Sequence, residues 1–371
     1  MRDKMLGSST KGPLQWRERT NIQTVARAAN VSIATVSRTM NGLATVDPEI
    51  AKRVWQVIDE LGYVPNTQAR GLALGRSRIF GLIVSEITNP FFPELIQGFE
   101  DIAVEHGYEI LVTSTNNDPS RVARCIRRML ERNVEGVAVM TFGMAEHIVE
   151  RIARRIPLVV IGTGPVRPGV STLEVDYDRG ILQAVRHLVA LGHNEIAFVT
   201  GPPHLKSAQS RKSAFVTAVK KCGLTPHPNW IIEGNHTMEG GIAAMGSLLD
   251  RRKDVPRAVM CSNDMTAIGV LHRLYRAGLT VPSDFSVIGF DNIHISEVMT
   301  PPLTTVEMSR LDLARAAVTA LRDQVESNKR YPLKRDYRIT TNLIVRESTG
   351  APVGQILCQA AGPPHNESDW R

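Results

Sequence analysis

The stretch Ser32-Ile33-Ala34-Thr35-Val36-Ser37-Arg38-Thr39-Met40-Asn41 gathers hydroxyls, an amide and one guanidinium at helical spacing. With Val36 and Met40 turned to a core, Ser32, Thr35, Ser37, Arg38 and Asn41 are left as a polar outer surface. Such groups suit phosphate oxygens and base edges, and an arginine can grip guanine O6 and N7 with two bonds. Other chemistry-bearing residues do not combine in this way. His193, His204, His227, His236, His272 and His294 are scattered, with no HxxxH or HExxH spacing. No GxSxG elbow and no GxxxxGK[ST] phosphate loop occurs either. Cys125, Cys222, Cys261 and Cys358 form no CxxC pair, which argues against a metal cluster and for reduced thiols; isolated long-range disulfides stay open. The expectation is a chain without a catalytic centre, metal or cofactor.

A short helical block must position the polar surface. Ile22, Val25, Ala26 and Ala29, then Ile33, Val36 and Met40, follow helical spacing, with Asn21 and Ser32 as N-caps and Asn30-Val31-Ser32 as the break. A third helix opens at Asp47-Pro48, presents Ile50, Val54, Val57, Ile58 and Leu61, and stops at Gly62. Residues 1–20 mix Gly, Ser, Lys, Arg and Pro without periodicity and read as a mobile arm. Two short helices joined by a tight turn also occur in ordinary core packing, so the surface chemistry carries the argument.

Charge points the same way. The chain of 371 residues has a formal net charge of +7. Residues 1–78 hold twelve basic against six acidic side chains, and the rest of the chain is nearly balanced at 32 against 31. A solvated basic tail and a phosphate-facing module both fit that excess. No apolar run approaches a membrane span, and the first twenty residues lack the apolar stretch of a signal peptide, so a soluble, cytoplasmic chain is expected.

Beyond Arg78 buried strands alternate with amphipathic helices. Ile79–Val84, Tyr108–Thr113, Gly136–Met140, Pro157–Ile161, Glu195–Thr200, Ala258–Cys261 and Ser286–Phe290 read as strands. Helices fall at Phe92–His106, Arg121–Glu131, Ile181–Leu191, Lys212–Cys222, Gly241–Leu249 and Met265–Ala277. The repetition implies parallel sheets covered on both faces, in two doubly wound α/β lobes.

The stretch Val25-Ala26…Ala29-Asn30-Val31-Ser32…Thr35-Val36-Ser37-Arg38…Asn41-Gly42, followed by Leu61-Gly62-Tyr63-Val64-Pro65-Asn66, resembles the lactose-repressor (LacI/GalR) family of bacterial regulators. The resemblance runs to about Ser348. It implies a helix-turn-helix headpiece at 21–65, a hinge helix and linker at 66–78, and a periplasmic-binding-protein-like core at 79–350, with a tail at 351–371. Lobe one would take 79–176 and 307–337, and lobe two 177–306 and 338–350, with Pro301–Val306 as the return crossover. Ile33, Ala34 and Arg38 would read bases; Thr35, Ser37 and Asn41 would hold phosphates. Ile33 and Ala34 offer only apolar contact, so Arg38 is left as the main polar reader. Leu72 matches a hinge residue that wedges into the minor groove, with Ala69 and Ala73 small enough for close approach. Gly71 should weaken that helix by about 1 kcal/mol.

The same resemblance implies a small-molecule effector between the lobes. Asn89, Phe91 and Phe92 follow the first core strand, where a phenylalanine can either cap the core or stack on a sugar face. Arg211 matches an arginine that binds ligand hydroxyls or carboxylate, and His236 falls where relatives often carry an aromatic stacker. Asn263-Asp264 and Asp291 follow strands, at the edge where open α/β sheets bind ligands. Asn263 and Asp291 would meet polyol hydroxyls, whereas Asp264 also suits a helix N-cap; Asp176 suits ligand or cap equally. The whole reads as a homodimeric repressor of carbohydrate-utilisation genes, bound to a near-palindromic double-stranded operator and controlled by a sugar or sugar derivative. A DNA-free sugar-binding sensor is the alternative.

Overall fold

The computed structural model describes residues 20–42, 45–64, 75–141, 146–162, 169–251, 255–327 and 336–352. The arm expected before residue 20, the hinge positions Ala69, Leu72 and Ala73, and the tail after residue 352 lie outside the described residues. The chain divides into two compact units, 1–77 and 78–371.

In the first unit α1 (Ile22–Ala28), α2 (Ile33–Met40) and α3 (Pro48–Leu61) each start on a side-chain cap. Asn21 Oδ1 accepts the Thr24 N–H at 2.9 Å, Ser32 Oγ that of Thr35 at 3.0 Å, and Asp47 Oδ1 that of Glu49 at 2.9 Å. Each bond satisfies a donor that a helix N-terminus leaves free. Gly62, at φ 58°, supplies the left-handed residue that ends α3. Val25, Ala26, Ala29, Val36, Val54 and Ile58 form the small core, and Thr39 is buried beside them.

The second unit is a β-α alternation around one run of strands. Its first half holds β1 (Ile79–Val84), α4 (Phe91–Glu105), β2 (Glu109–Ser114), α5 (Pro119–Glu131), β3 (Gly136–Met140), α6 (Glu146–Ala153), β4 (Leu158–Ile161) and β5 (Val170–Asp176). Its second half holds α7 (Tyr177–Ala190), β6 (Ile196–Val199), α8 (Lys206–Lys221), β7 (Ile231–Ile232), α9 (Met238–Leu249), β8 (Ala258–Cys261), α10 (Asp264–Arg276), β9 (Ser286–Asp291), α11 (Ile295–Val298) and β10 (Thr304–Met308). The chain then returns through α12 (Arg310–Glu326) and β11 (Asp336–Ile344).

The strand order is β2-β1-β3-β4-β5-β11-β10-β9-β8-β6-β7. Strand β11 joins the halves: Asp336–Thr340 pairs in parallel with β5, and Thr341–Ile344 pairs antiparallel with β10. That antiparallel pair is the departure from the all-parallel expectation. Helices α4 and α12 pack side by side over one face of the first half, and α5 and α6 cover the other through Val122, Ile126, Met129 and Ile152. Strands β1, β3 and β4 are therefore almost wholly buried, and read as continuous apolar runs. The chain beyond β11 is still fastened at Gly350, whose carbonyl accepts from the Ser286 hydroxyl at 2.9 Å. Among the described residues no helix is long and apolar enough to cross a membrane.

Candidate functional site

In the first unit, α2 presents its first turn outward. Ile33 is 45% exposed, and Ala34 and Arg38 are exposed with it. Thr35 is half-buried, its hydroxyl 2.9 Å from that of Ser32. Ser37 is half-buried too. Asn41 departs from the expected outward amide: as the C-cap of α2 it turns its Oδ1 inward, where it meets no donor among the described residues.

In the second unit the polar residues expected to bind a ligand collect at the C-terminal ends of β6, β8 and β9. Arg211 was expected ahead of its helix; it lies within α8, because that helix starts at Lys206. Its guanidinium is buried against Phe290, 4.0 Å from the ring centroid, and donates through Nη1 to the Ser262 carbonyl. Through Nη2 it donates to Asp291 Oδ1 at 3.2 Å, an ion pair only 6% and 7% exposed. Burying a charge is tolerable only when it is paired and hydrogen-bonded, and both conditions hold here. Burial raises the Asp291 carboxyl to about 6, against the pull of Arg211 and Arg310.

His236 stands at the same edge. Its Nε2 is 2.9 Å from Ser262 Oγ, and the ring lies so close to Gly201 that a Cβ there would meet Nε2 at 1.9 Å. Burial, and then the Arg211 charge, hold the imidazole neutral with its pKa near about 3. His236 and Asp291 both have left-handed backbones, φ 66° and 113°. Non-glycine residues in such regions cost of order 1–3 kcal/mol each and cluster at binding sites.

The remaining sequence-derived positions have structural partners. Asn263 is the N-cap of α10: its Oδ1 accepts from Thr266 N at 2.9 Å, and its Nδ2 donates to the His236 carbonyl at 3.0 Å. The cap expected of Asp264 thus falls to its neighbour. Asp264 is fully buried, accepts from Ile293 N at 2.9 Å and from the Thr305 hydroxyl, and has its carboxyl raised to about 8 by burial. Asp176 caps α7 at the Arg179 N–H, 3.3 Å away, and pairs with Arg338 at 2.8 Å. Asn89 Oδ1 accepts from Phe91 N at 3.0 Å, which starts α4 one residue earlier than expected. Phe91 and Phe92 therefore stand in a helix turn rather than on a loop, edge to face at 5.3 Å, with Phe91 in the core.

The structure adds residues that the sequence did not single out. Arg310 Nη1 donates to the Asp291 carbonyl at 2.7 Å, and its Nε pairs with Glu94 of α4 at 2.8 Å. Glu94 also accepts the His294 N–H at 3.1 Å. Tyr177 and Ser262 flank Arg211. No motif spacing could reveal partners some two hundred positions apart, as Glu94 and His294 are. Among the described residues no cluster of His, Cys, Asp or Glu could hold a metal ion.

Comparison with known proteins follows this division. Residues 21–66 match the family described as bacterial regulatory proteins, lacI family, and residues 185–349 match a periplasmic binding protein-like domain. The HTH-type transcriptional repressor PurR of Aliivibrio salmonicida is 30% identical over 329 residues, covering 88% of this chain and 98% of that protein. Catabolite control protein A of Priestia megaterium is 34% identical over 302 residues, 81% of this chain and 91% of that protein. The solved complex of the transcriptional regulator CelR with cellobiose is 28% identical, with a TM-score of 0.64, over 89% of this chain and all of that one. The match at 21–66 removes the DNA-free sensor as a reading of the whole chain. The chain belongs to the lacI family of bacterial regulatory proteins, as a DNA-binding transcriptional repressor rather than an enzyme.

Proposed function

We propose that the chain represses carbohydrate-utilisation genes as a homodimer on a near-palindromic operator, and that a sugar or sugar derivative bound between two lobes controls it. The observation that carries the effector reading is the convergence of Arg211, His236 and Asp291 at one sheet edge, with two of their three backbones left-handed. Open α/β sheets bind ligands at that edge. Arg211 and Asp291 present charged hydrogen-bonding groups beside the Phe290 ring, a polar and aromatic mixture suited to a polyhydroxylated ligand. Phe92, half-buried at the start of α4, supplies an apolar wall from the first half. Cellobiose in the CelR complex supports a sugar without naming the one used here.

On this reading lobe one comprises 79–176 with 307–337, and lobe two 177–306 with 338–350; the change of partner within β11 supports a boundary near its middle. Ile33, Ala34 and Arg38 read bases in the cytoplasm, where operator DNA lies, while Thr35, Ser37 and Asn41 fix the helix to phosphates. Leu72, between Ala69 and Ala73, wedges the minor groove. The exposed apolar side chains Ile295 and Val298 of α11, 46% and 66% exposed, and Val345, 54% exposed, support a second copy as partner. The effector acts through its different affinity for the two lobe arrangements.

A mobility-shift assay of the full chain with its native upstream region tests this reading. Sequence-specific retardation that D-ribose, D-glucose or cellobiose relieves or strengthens is the expected result. No specific retardation with or without these sugars would overturn it.

A further inference from the structure

Arg211 uses both terminal nitrogens within the chain, but its Nε is buried and meets no acceptor among the described residues. A second orphan lies beside it. Tyr177, the first residue of α7 where the chain leaves β5, has a buried hydroxyl with no hydrogen-bond partner among the described residues. The Arg211 guanidinium carbon is 5.3 Å from the Tyr177 ring centroid, and Tyr177 packs on Phe290 with centroids 5.9 Å apart. One aromatic pair thus holds both unpartnered groups at the sheet edge that carries His236 and Asp291.

Leaving a buried donor unmet costs about 1–3 kcal/mol, more for a charged group, so two adjacent orphans are not explained by stability. Both are donors: the guanidinium N–H has nothing to accept with, and burial holds the phenol protonated, above its usual range. Nearby acceptors are engaged already, Asp291 Oδ1 and the Ser262 carbonyl with Arg211 and Ser262 Oγ with His236.

We propose that Tyr177 is a further effector-contacting residue, and that its hydroxyl and Arg211 Nε form a two-donor seat for an oxygen with no hydrogen of its own, the carboxylate of a sugar acid. This rests on the effector reading above and narrows it from sugars to their acids. A carboxylate oxygen accepts from two donors at once, and a charge-assisted bond to guanidinium is the stronger kind. A neutral sugar hydroxyl in the same seat would bring a hydrogen that finds no acceptor there.

The test compares matched probes that differ at one carbon: D-glucose with D-glucuronate, and D-galactose with D-galacturonate, by calorimetry and thermal shift on the full chain. In the wild type at least one acid is expected to bind about tenfold tighter than its neutral partner. Tyr177→Phe should bring that ratio close to one, and its ligand-free melting temperature should equal or exceed the wild-type value. A clear fall in that melting temperature would show the hydroxyl to have a structural partner and would overturn the inference. Neutral sugars binding as well as their acids would overturn the carboxylate seat and leave the sugar reading standing. If none of the four probes shifts the melting temperature, the inference falls, and the sugar reading falls with it only if D-ribose and cellobiose also leave it unmoved.

Discussion

Arg38 and Arg211 are the same residue put to opposite uses in the two units. Arg38 is exposed in the last turn of α2, with no ion pair among the described residues. Arg211 is 5% exposed, stacked on Phe290, bonded to Ser262 and paired with Asp291. A side chain meant for DNA must stay solvated until the partner arrives, so removing it leaves the fold untouched. A side chain meant for a small ligand is held in place beforehand by buried partners, so it is part of the fold as well as of the site. Function and stability are separable in the first unit and entangled in the second.

The largest expected effect follows from that entanglement. Arg211→Ala leaves the Asp291 carboxylate buried without its partner and should cost about 3–5 kcal/mol of core stability. Urea unfolding followed by tryptophan fluorescence reads the loss. Adding Asp291→Asn should recover part of it, because the stranded charge is then gone; strictly additive single and double variants would show that the pair does not set the cost.

Arg38→Ala should do the reverse. Its side chain is exposed, so stability should stay within about 0.5 kcal/mol. Discrimination among operator variants should shrink by about 1–3 kcal/mol at one base pair if the guanidinium makes a bidentate base contact. Competition mobility shifts over a set of single-base operator variants measure this, and an unchanged order of preference removes Arg38 from base reading.

The same contrast explains how far the sequence could be read. The headpiece was legible almost to the residue: Asn21, Ser32 and Asp47 cap their helices, Gly62 ends the third, and the apolar spacing names its core. Every one of those signals is local, within a few positions of its effect. Strands of the core were legible for a similar reason, since burial on both faces leaves continuous apolar runs. Strand β11 was not foreseen, because its role is to pair half with β5 and half with β10, and pairing across the chain leaves no periodic mark. The site divides along the same line. That Asp291 stands at a strand end was readable, but that Asn263 rather than Asp264 caps α10, or that Asp176 pairs with Arg338, depends on side chains meeting in space.

His236 gives a third test, with a defined sign. Its folded-state pKa near about 3 lies below the ordinary 6.5, so below pH 6.5 the unfolded chain binds a proton that the folded chain refuses. On this account stability is fully present above pH 6.5 and is lost as pH falls toward 3. His187 and His193 shift in the same direction, while Asp264 and Asp291 shift in the opposing one, so the total curve mixes signs. The difference between wild type and His236→Gln isolates the histidine. Relative to the variant, the wild type should lose up to about 1.4 kcal/mol per pH unit below 6.5. Parallel stability curves for the two proteins would mean the imidazole is not held neutral.

The smallest expected effect concerns the link between the halves of the core. Glu94 of α4 takes Arg310 Nε at 2.8 Å and the His294 N–H at 3.1 Å, while Arg310 also holds the Asp291 carbonyl. The backbone of a proposed effector residue is thereby tied to a helix on the other half of the sheet. Glu94 and Arg310 are 30% and 17% exposed, so solvent screens the pair and Glu94→Gln should cost only about 0.5–1 kcal/mol of stability. Its consequence for control should be easier to see than its consequence for folding. The glutamine keeps one acceptor oxygen but turns an amide N–H toward a donor, which weakens the tie in whichever lobe arrangement contains it. Any bond present in one arrangement and absent from the other shifts their balance by its own free energy, so about 0.6 kcal/mol should change the operator dissociation constant of the ligand-free chain by about threefold. Quantitative mobility shifts of the full chain resolve a change of that size. An unchanged constant, with an equally unchanged melting temperature, would mean that the Glu94–Arg310 tie persists in both arrangements and transmits nothing between the halves.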